Sequence, residues 1–225
     1  MNHHPDRTTL QRYAQGDIDA VLGVAVATHL DHCNHCHRQI AKFERKAGLS
    51  LEKLAVKHQD TVEGNEILAG MLEQIVASDV SFERRTKPQL SQVTVSGKQF
   101  TLPRSLSGLV AKMGDWRSYG GKVFSAAVAV EDQARIHLMY ISPDVKIPQH
   151  THKGIEATIV LHGGFSDEDG HYHPGDYLLR DGSVSHSPYT QPGEECLCLS
   201  VLTEPMLFTQ GVARIFNRFG KGLYP

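Results

Sequence analysis

The chain has 225 residues, 40% hydrophobic and 21% charged, a globular balance that fits one large domain or two small ones. Its net charge of −2, from 23 basic and 25 acidic residues, excludes the basic surface that wrapping nucleic acid needs and is too small to hold a membrane surface. No apolar run approaches the roughly 18 residues of a membrane span, and the opening "MNHHPDRTTLQRYAQ" is polar throughout, so a cytoplasmic protein without a signal peptide is expected. Four cysteines are too few for a disulfide scaffold, whereas 14 histidines, clustered, are the compositional outlier.

In chain order, the first 80 residues read as helices. "TTLQRYAQ" is a short amphipathic helix started by Asp6 or Thr8. "DIDAVLGVAVATHLDHC" follows, with Asp17 or Asp19 as N-cap. "HRQIAKFERKAGLSLEKLAVKH" repeats the pattern with a soft break at Gly48. "NEILAGMLEQIVAS" places Ile67, Leu68, Met71, Leu72, Ile75 and Val76 at helical spacing. Residues 81–92 are charged, lack a helical face and read as a linker. From 93 to 225 the runs "KVFSAAVAV", "ARIHLMYIS", "EATIVLHG", "DYLLRD" and "ECLCLSVLT" alternate with turn signals, as in a small β-barrel or sandwich. The expected fold is therefore α + β in two domains, a helical bundle at 1–80 and a β-barrel at 93–225.

The stretch "THLDHCNHCHRQ" carries four histidines and two cysteines in twelve positions. On one continuous helix His29, Cys33 and Cys36 fall at i, i+4 and i+7, within about 60° of one another. Two sulfurs and a nitrogen on one stripe suit tetrahedral zinc, which needs a fourth ligand. The other histidine pair of the helical region, His3 and His4, is available if the first helix packs antiparallel to the second. Two buried thiols with no metal, or a thioredoxin-like redox pair, are the competing readings. The second expects a strand–helix–strand context that is missing here.

A further constellation sits in "PQHTHKGIEATIVLHGG". His150 and His152 point to one face of a strand, Glu156 keeps that parity, and His186 follows in "SVSHSPY". Three imidazoles and a carboxylate directed into a barrel form a divalent-metal site. His171 and His173 flank a "PG" turn and read as exposed loop. Cys196 and Cys198, at i and i+2 on a strand, lie about 6.5–7 Å apart. That exceeds the usual disulfide separation of about 5.5–6 Å, so they read as small strand residues.

The spacing H-x-H-x3-E-x6-G from His150 to Gly163, with His186 and "HPGDY", resembles the metal site and second motif of the cupin superfamily. "HLDHCNHC" resembles the His-x3-Cys-x2-Cys motif of zinc-binding anti-sigma factors. A zinc head before a cupin is similar to the layout of ChrR-type anti-sigma factors, and "QRYAQG", "VATHLDHC" and "ECLCLSVL" strengthen that likeness. The resemblance implies that the C-terminal barrel is a cupin double-stranded β-helix. It implies structural Zn2+ on His4, His29, Cys33 and Cys36, with His4 preferred over His3 by its distance from "RYAQG". A second divalent metal, zinc or another transition metal, falls on His150, His152, Glu156 and His186. The implied partner is a sigma factor of the extracytoplasmic-function type. It would be held by residues 1–80 and released when the cupin responds to singlet oxygen or organic hydroperoxides. The competing function is a cupin dioxygenase, since a site of three histidines and one glutamate also serves such enzymes.

Overall fold

The computed structural model describes residues 1–54, 62–78, 90–130, 134–204 and 206–210. Most of the expected linker, the "AVKH" end of the third helical segment with His58, and residues 211–225 lie outside them.

Helix α1 (Arg7–Gln15) starts at Asp6, whose carboxylate accepts the Thr9 N–H at 2.8 Å, and stops at Gly16 with φ 70°. Helix α2 (Ala20–His32) is capped by Asp19, which accepts from Val21 N. The sequence "AVLGVAVATHL" is apolar all round, so this helix is buried rather than one-sided. Helix α3 spans Asn34–Glu52, and α4 spans Val62–Ala77. Two expectations are corrected here. The helix does not break at Gly48, because a single glycine costs only about 1 kcal/mol within nineteen residues. The metal-ligand stripe is not one helix either. Cys33 is extended (φ −118°, ψ 95°) and is at once the C-cap of α2 and the N-cap of α3, its Sγ accepting the Cys36 N–H at 3.4 Å.

The second half opens on a hairpin that sequence patterning did not pick out, β1 (Gln92–Val95) and β2 (Lys98–Thr101). Its Ser96-Gly97 turn has positive φ at both positions, as a two-residue hairpin loop requires. A 3₁₀ turn at Arg104–Leu106 and a short helix α5 (Ser107–Val110) lead into β3 (Arg117–Tyr119), β4 (Val123–Val130) and β5 (Ala134–Ile141). Strands β6 (His150–His152), β7 (Glu156–Gly163), β8 (Phe165–Asp167) and β9 (Gly170–Tyr172) follow. The described chain closes with β10 (Tyr177–Arg180), β11 (Cys196–Leu202) and β12 (Met206–Phe208). Six strands form an antiparallel sheet in the order β10-β7-β11-β5-β4-β3, while β12-β6 and β8-β9 form two-stranded ribbons. Gly163 ends β7 at φ 65°, and any side chain there would collide with the Glu195 carbonyl, so the glycine of the histidine–glutamate spacing is sterically required.

The alternation of strand residues divides the core between two faces of this sheet. Ile136, Leu138, Ala157, Ile159, Leu197, Leu199 and Val201 face one way and share a hydrophobic cluster with Leu10, Ala25 and Val26 of the helices. Met139, Ile141, Val160, Cys196 and Cys198 face the other way, with Phe165 and Leu178. Helix α2 thus lies against the outer face of the sheet, and a cavity opens on the inner face. Polar ties reinforce the docking: Ser105 N donates to Asp31 at 2.8 Å, and Ser105 Oγ to Thr28 Oγ1 at 3.2 Å.

Candidate metal centres

The first centre forms where three short pieces of chain meet. His4 comes from the extended segment before α1, His29 from the last turn of α2, and Cys33 and Cys36 from the α2–α3 junction. Their ligand atoms all lie within 4.8 Å of one another. His4 Nδ1 is 3.4 Å from Cys33 Sγ and 3.5 Å from Cys36 Sγ. A tetrahedron with zinc–sulfur and zinc–nitrogen bonds of about 2.3 and 2.0 Å has such edges at about 3.5 Å. The His29 ring donates from Nδ1 to the Gly175 carbonyl at 2.7 Å, which leaves its buried Nε2 without a hydrogen-bond partner. A buried imidazole nitrogen with no partner, beside two buried thiols, is what a cation site presents before the cation is counted.

Electrostatics agree with that fit. Burial pushes the Cys36 thiol up to about 12, helped by the neighbouring Cys33. Burial also lowers His29, against the raising effect of its bond to Gly175. Burial thus favours the neutral forms of Cys36 and His29, and a bound dication would make the Cys36 thiolate favourable. His3 is not in this group: its ring packs edge-on against Tyr172, so the structure favours His4 for the fourth position. His32 also stays outside it.

The second centre lies on the inner face of the sheet. His150, His152 and His186 bring their ring nitrogens within 4.8 Å of one another, all buried. His150 and His186 sit opposite each other in an antiparallel bridge, with N–H···O distances of 3.1 and 3.0 Å. Glu156, at the start of β7, places Oε2 3.0 Å from His152 Nε2 and 3.7 Å from His186 Nε2. His150 donates from Nδ1 to the Pro148 carbonyl at 2.9 Å, which turns Nε2 inward. His186 Nε2 is buried without a hydrogen-bond partner. Its Nδ1 meets the Arg180 guanidinium at 2.8 Å, and Arg180 is ion-paired with buried Asp167. Neither Arg180 nor Asp167 was singled out from sequence, because the 12 residues between them hide their pairing.

Burial and the charge of His186 lower His150 to about 4. Burial raises Glu156, but the three histidines outweigh it and hold the carboxyl at about 2. A neutral His150 beside an ionised Glu156 matches the protonation states a divalent metal takes. Beside the cluster is a cavity of about 330 Å³ with mainly apolar walls, among them Met139, Ile147, Phe165, Cys198 and Phe208. The two centres therefore differ in surroundings: the first sits at helix ends with His4 exposed and its other three residues buried, while the second opens into a pocket. His171 and His173 pack ring to ring at 4.5 Å by their turn and join neither.

Comparison with known proteins agrees with both halves. Residues 115–205 match the ChrR cupin-like domain family. The chain is 26% identical over 222 residues to the anti-sigma-E factor ChrR of Cereibacter sphaeroides, covering 97% of this chain and 98% of that one. It superposes with a TM-score of 0.68 and 25% identity on a chain from the crystal structure of Rhodobacter sphaeroides SigE in complex with the anti-sigma ChrR, covering 89% and 98% of the two chains.

Proposed function

We propose that this chain, ChrR-like over almost its whole length, is an anti-sigma factor that sequesters an extracytoplasmic-function-type sigma factor in the cytoplasm. The observation that carries this reading is α4. Ile67, Leu68, Met71, Leu72, Ile75 and Val76 are each 53–76% exposed. They recur at helical spacing, and Leu49, Leu51 and Leu54 at the end of α3 are exposed as well. An apolar patch of this size on a folded chain marks a protein interface, and the helix-in-groove mode reads such a row as anchors. Among the described residues no helix is long and apolar enough to cross a membrane.

His4, His29, Cys33 and Cys36 would hold zinc with all four positions filled by protein. Such a closed site contributes folding energy to a small helical head and leaves no place for a substrate. His150, His152, Glu156 and His186 would hold a second divalent metal, which supplies Lewis acidity next to the cavity. The finer reading is that the cupin half governs release of the sigma factor in response to singlet oxygen or organic hydroperoxides. Its support is the pairing of an accessible metal-type cluster with an apolar pocket large enough for a small organic molecule. The same pairing is what a dioxygenase would need. The helical half distinguishes the two, since an exposed α4 serves no step in an enclosed pocket.

Co-purification with sigma factors from the same genome, followed by a transcription assay, tests the reading. Met71→Asp and Leu72→Asp should abolish capture and inhibition while leaving helicity intact. Full inhibition by both variants would refute α4 as the contact surface.

A further inference from the structure

The two halves of the first cluster are positioned in different ways. Cys33 and Cys36 are set by the local geometry of the α2–α3 junction. His4 and His29 are not: both are held by one turn of the other half of the protein, between β9 and β10. The Gly175 carbonyl accepts the His29 Nδ1–H at 2.7 Å. The next residue, Asp176, is fully buried, and its Oδ1 accepts the Asn2 and His3 N–H groups at 2.8 and 3.1 Å. Tyr177 N then donates to the His3 carbonyl at 3.0 Å. The residue before His4 is thus clamped on both its N–H and its carbonyl.

The turn itself is rigid. Asp176 Oδ2 accepts from His173 N at 2.9 Å, Asp176 N donates to His173 O at 3.0 Å, and Gly175 N donates to Val160 O of β7 at 2.8 Å. Gly175 has φ +91°, and a side chain on it would reach within 2.8 Å of His32 Cβ and collide with Met1. The glycine therefore permits both the turn and the close approach of α2 to it.

We propose that Gly175 and Asp176 are positioning residues for the helical metal centre, so that zinc retention in the head depends on the docked cupin turn. The proposal rests on the reading of His4, His29, Cys33 and Cys36 as zinc ligands. A ligating imidazole is oriented and made more basic by the acceptor on its other nitrogen, and loss of such a partner typically costs 10–100-fold in metal affinity. Here that acceptor is a backbone carbonyl some 146 residues away along the chain. Covalent chain order makes the head look self-contained, yet half of its ligand set is aimed by the other domain.

The test uses the full-length chain with Co2+ as the probe, because thiolate coordination at Cys33 and Cys36 gives an absorption band that an all-nitrogen-and-oxygen site does not. Chelator competition monitored at that band yields the affinity of this centre alone. Gly175→Ala should weaken it about 10–100-fold. Asp176→Asn should weaken it in the same direction, since one amide oxygen can accept on one side of the turn only. His173→Ala, an exposed change in the same turn, should leave it unaltered. The bands that report geometry should shift in the first two variants, which a merely structural loosening elsewhere would not produce. Equal affinity and equal spectra in wild type, Gly175→Ala and Asp176→Asn would overturn the proposal. If Gly175→Ala does not fold, Asp176→Asn alone decides. If the wild type itself shows no thiolate band, the zinc reading of the head fails first, and this proposal with it.

Discussion

Two histidine clusters in one chain differ in donor chemistry, scaffold and surroundings: His4 of the first is exposed, whereas His150, His152 and His186 of the second are all buried. The head cluster has two thiols and two imidazoles and sits at helix ends. The cupin cluster has three imidazoles touched by a carboxylate, sits on strands and lines a cavity of about 330 Å³. Soft thiolates with full protein coordination suit a structural ion, whereas nitrogen and oxygen donors beside open space suit one that can meet a ligand. The lesson is that the donor set and an adjoining cavity, more than burial of the ligands, separate a site that holds a fold from one able to respond.

The strongest way to break this contrast is to remove a thiolate. Cys33→Ser or Cys36→Ser should cost much of an apparent metal-linked term of about 10–16 kcal/mol, unfold the head and leave sigma-dependent transcription constitutively on. Circular dichroism and metal content after purification check this, and a variant with full zinc and helicity would refute the assignment. Next in size are His150→Ala, His152→Ala, Glu156→Ala and His186→Ala. Each should lose the cupin metal yet keep inhibition, so that a reporter stays off with or without oxidant. If His150→Ala relieves inhibition without oxidant, the cupin is part of the clamp itself.

A fragment of residues 1–80 sharpens the comparison further. It should still inhibit, because the α4 surface is complete within it. It should hold zinc less tightly than the full chain, because it lacks Gly175 and Asp176. Equal zinc affinity in fragment and full chain would make the head self-sufficient.

The smallest expected effect is on acid stability of the metal-free protein. His150 is held below its ordinary value, to about 4, so between about 6.5 and 4 the unfolded chain binds more protons at this site than the folded one. Glu156 is held at about 2, so the same sign continues from about 4.5 downward. Stability contributed by both groups is present at neutral pH and falls as pH falls through these windows. Urea midpoints at pH 7 and pH 5 should therefore drop on acidification, and less so in His150→Ala.

Much of this was legible from sequence where the determinants are local. Asp6 and Asp19 cap helices because a short carboxylate reaches its own next turn. The five apolar runs became β4, β5, β7, β10 and β11, and alternation along β6 put His150 and His152 on one face, whereas Glu156 reaches His152 from another strand, β7. The candidate ligand types and spacings were readable because metal coordination constrains chemistry and separation together. The break at Cys33 was not, since helical periodicity cannot register one extended residue that leaves the ligands convergent. Nor was the hairpin β1–β2, whose short strands carry only Val93, Val95 and Phe100 inward.

Tertiary structure alone decided the fates of two apolar helices. Both α2 and α4 are rich in Ala, Val and Leu, yet α2 is buried against the sheet and α4 has no partner among the described residues. Composition fixes how much apolar surface a helix must bury, whereas long-range packing fixes against what, and whether that partner is in the same chain. The sequence preferred His4 over His3 through the resemblance alone, by its distance from "RYAQG"; the physical reason lies in the tertiary structure, where the clamp of Asp176 and Tyr177 on His3 turns the next side chain toward Cys33 and Cys36. Sequence thus named the atoms that could bind metal, and contacts 146 to 174 residues apart along the chain aimed them.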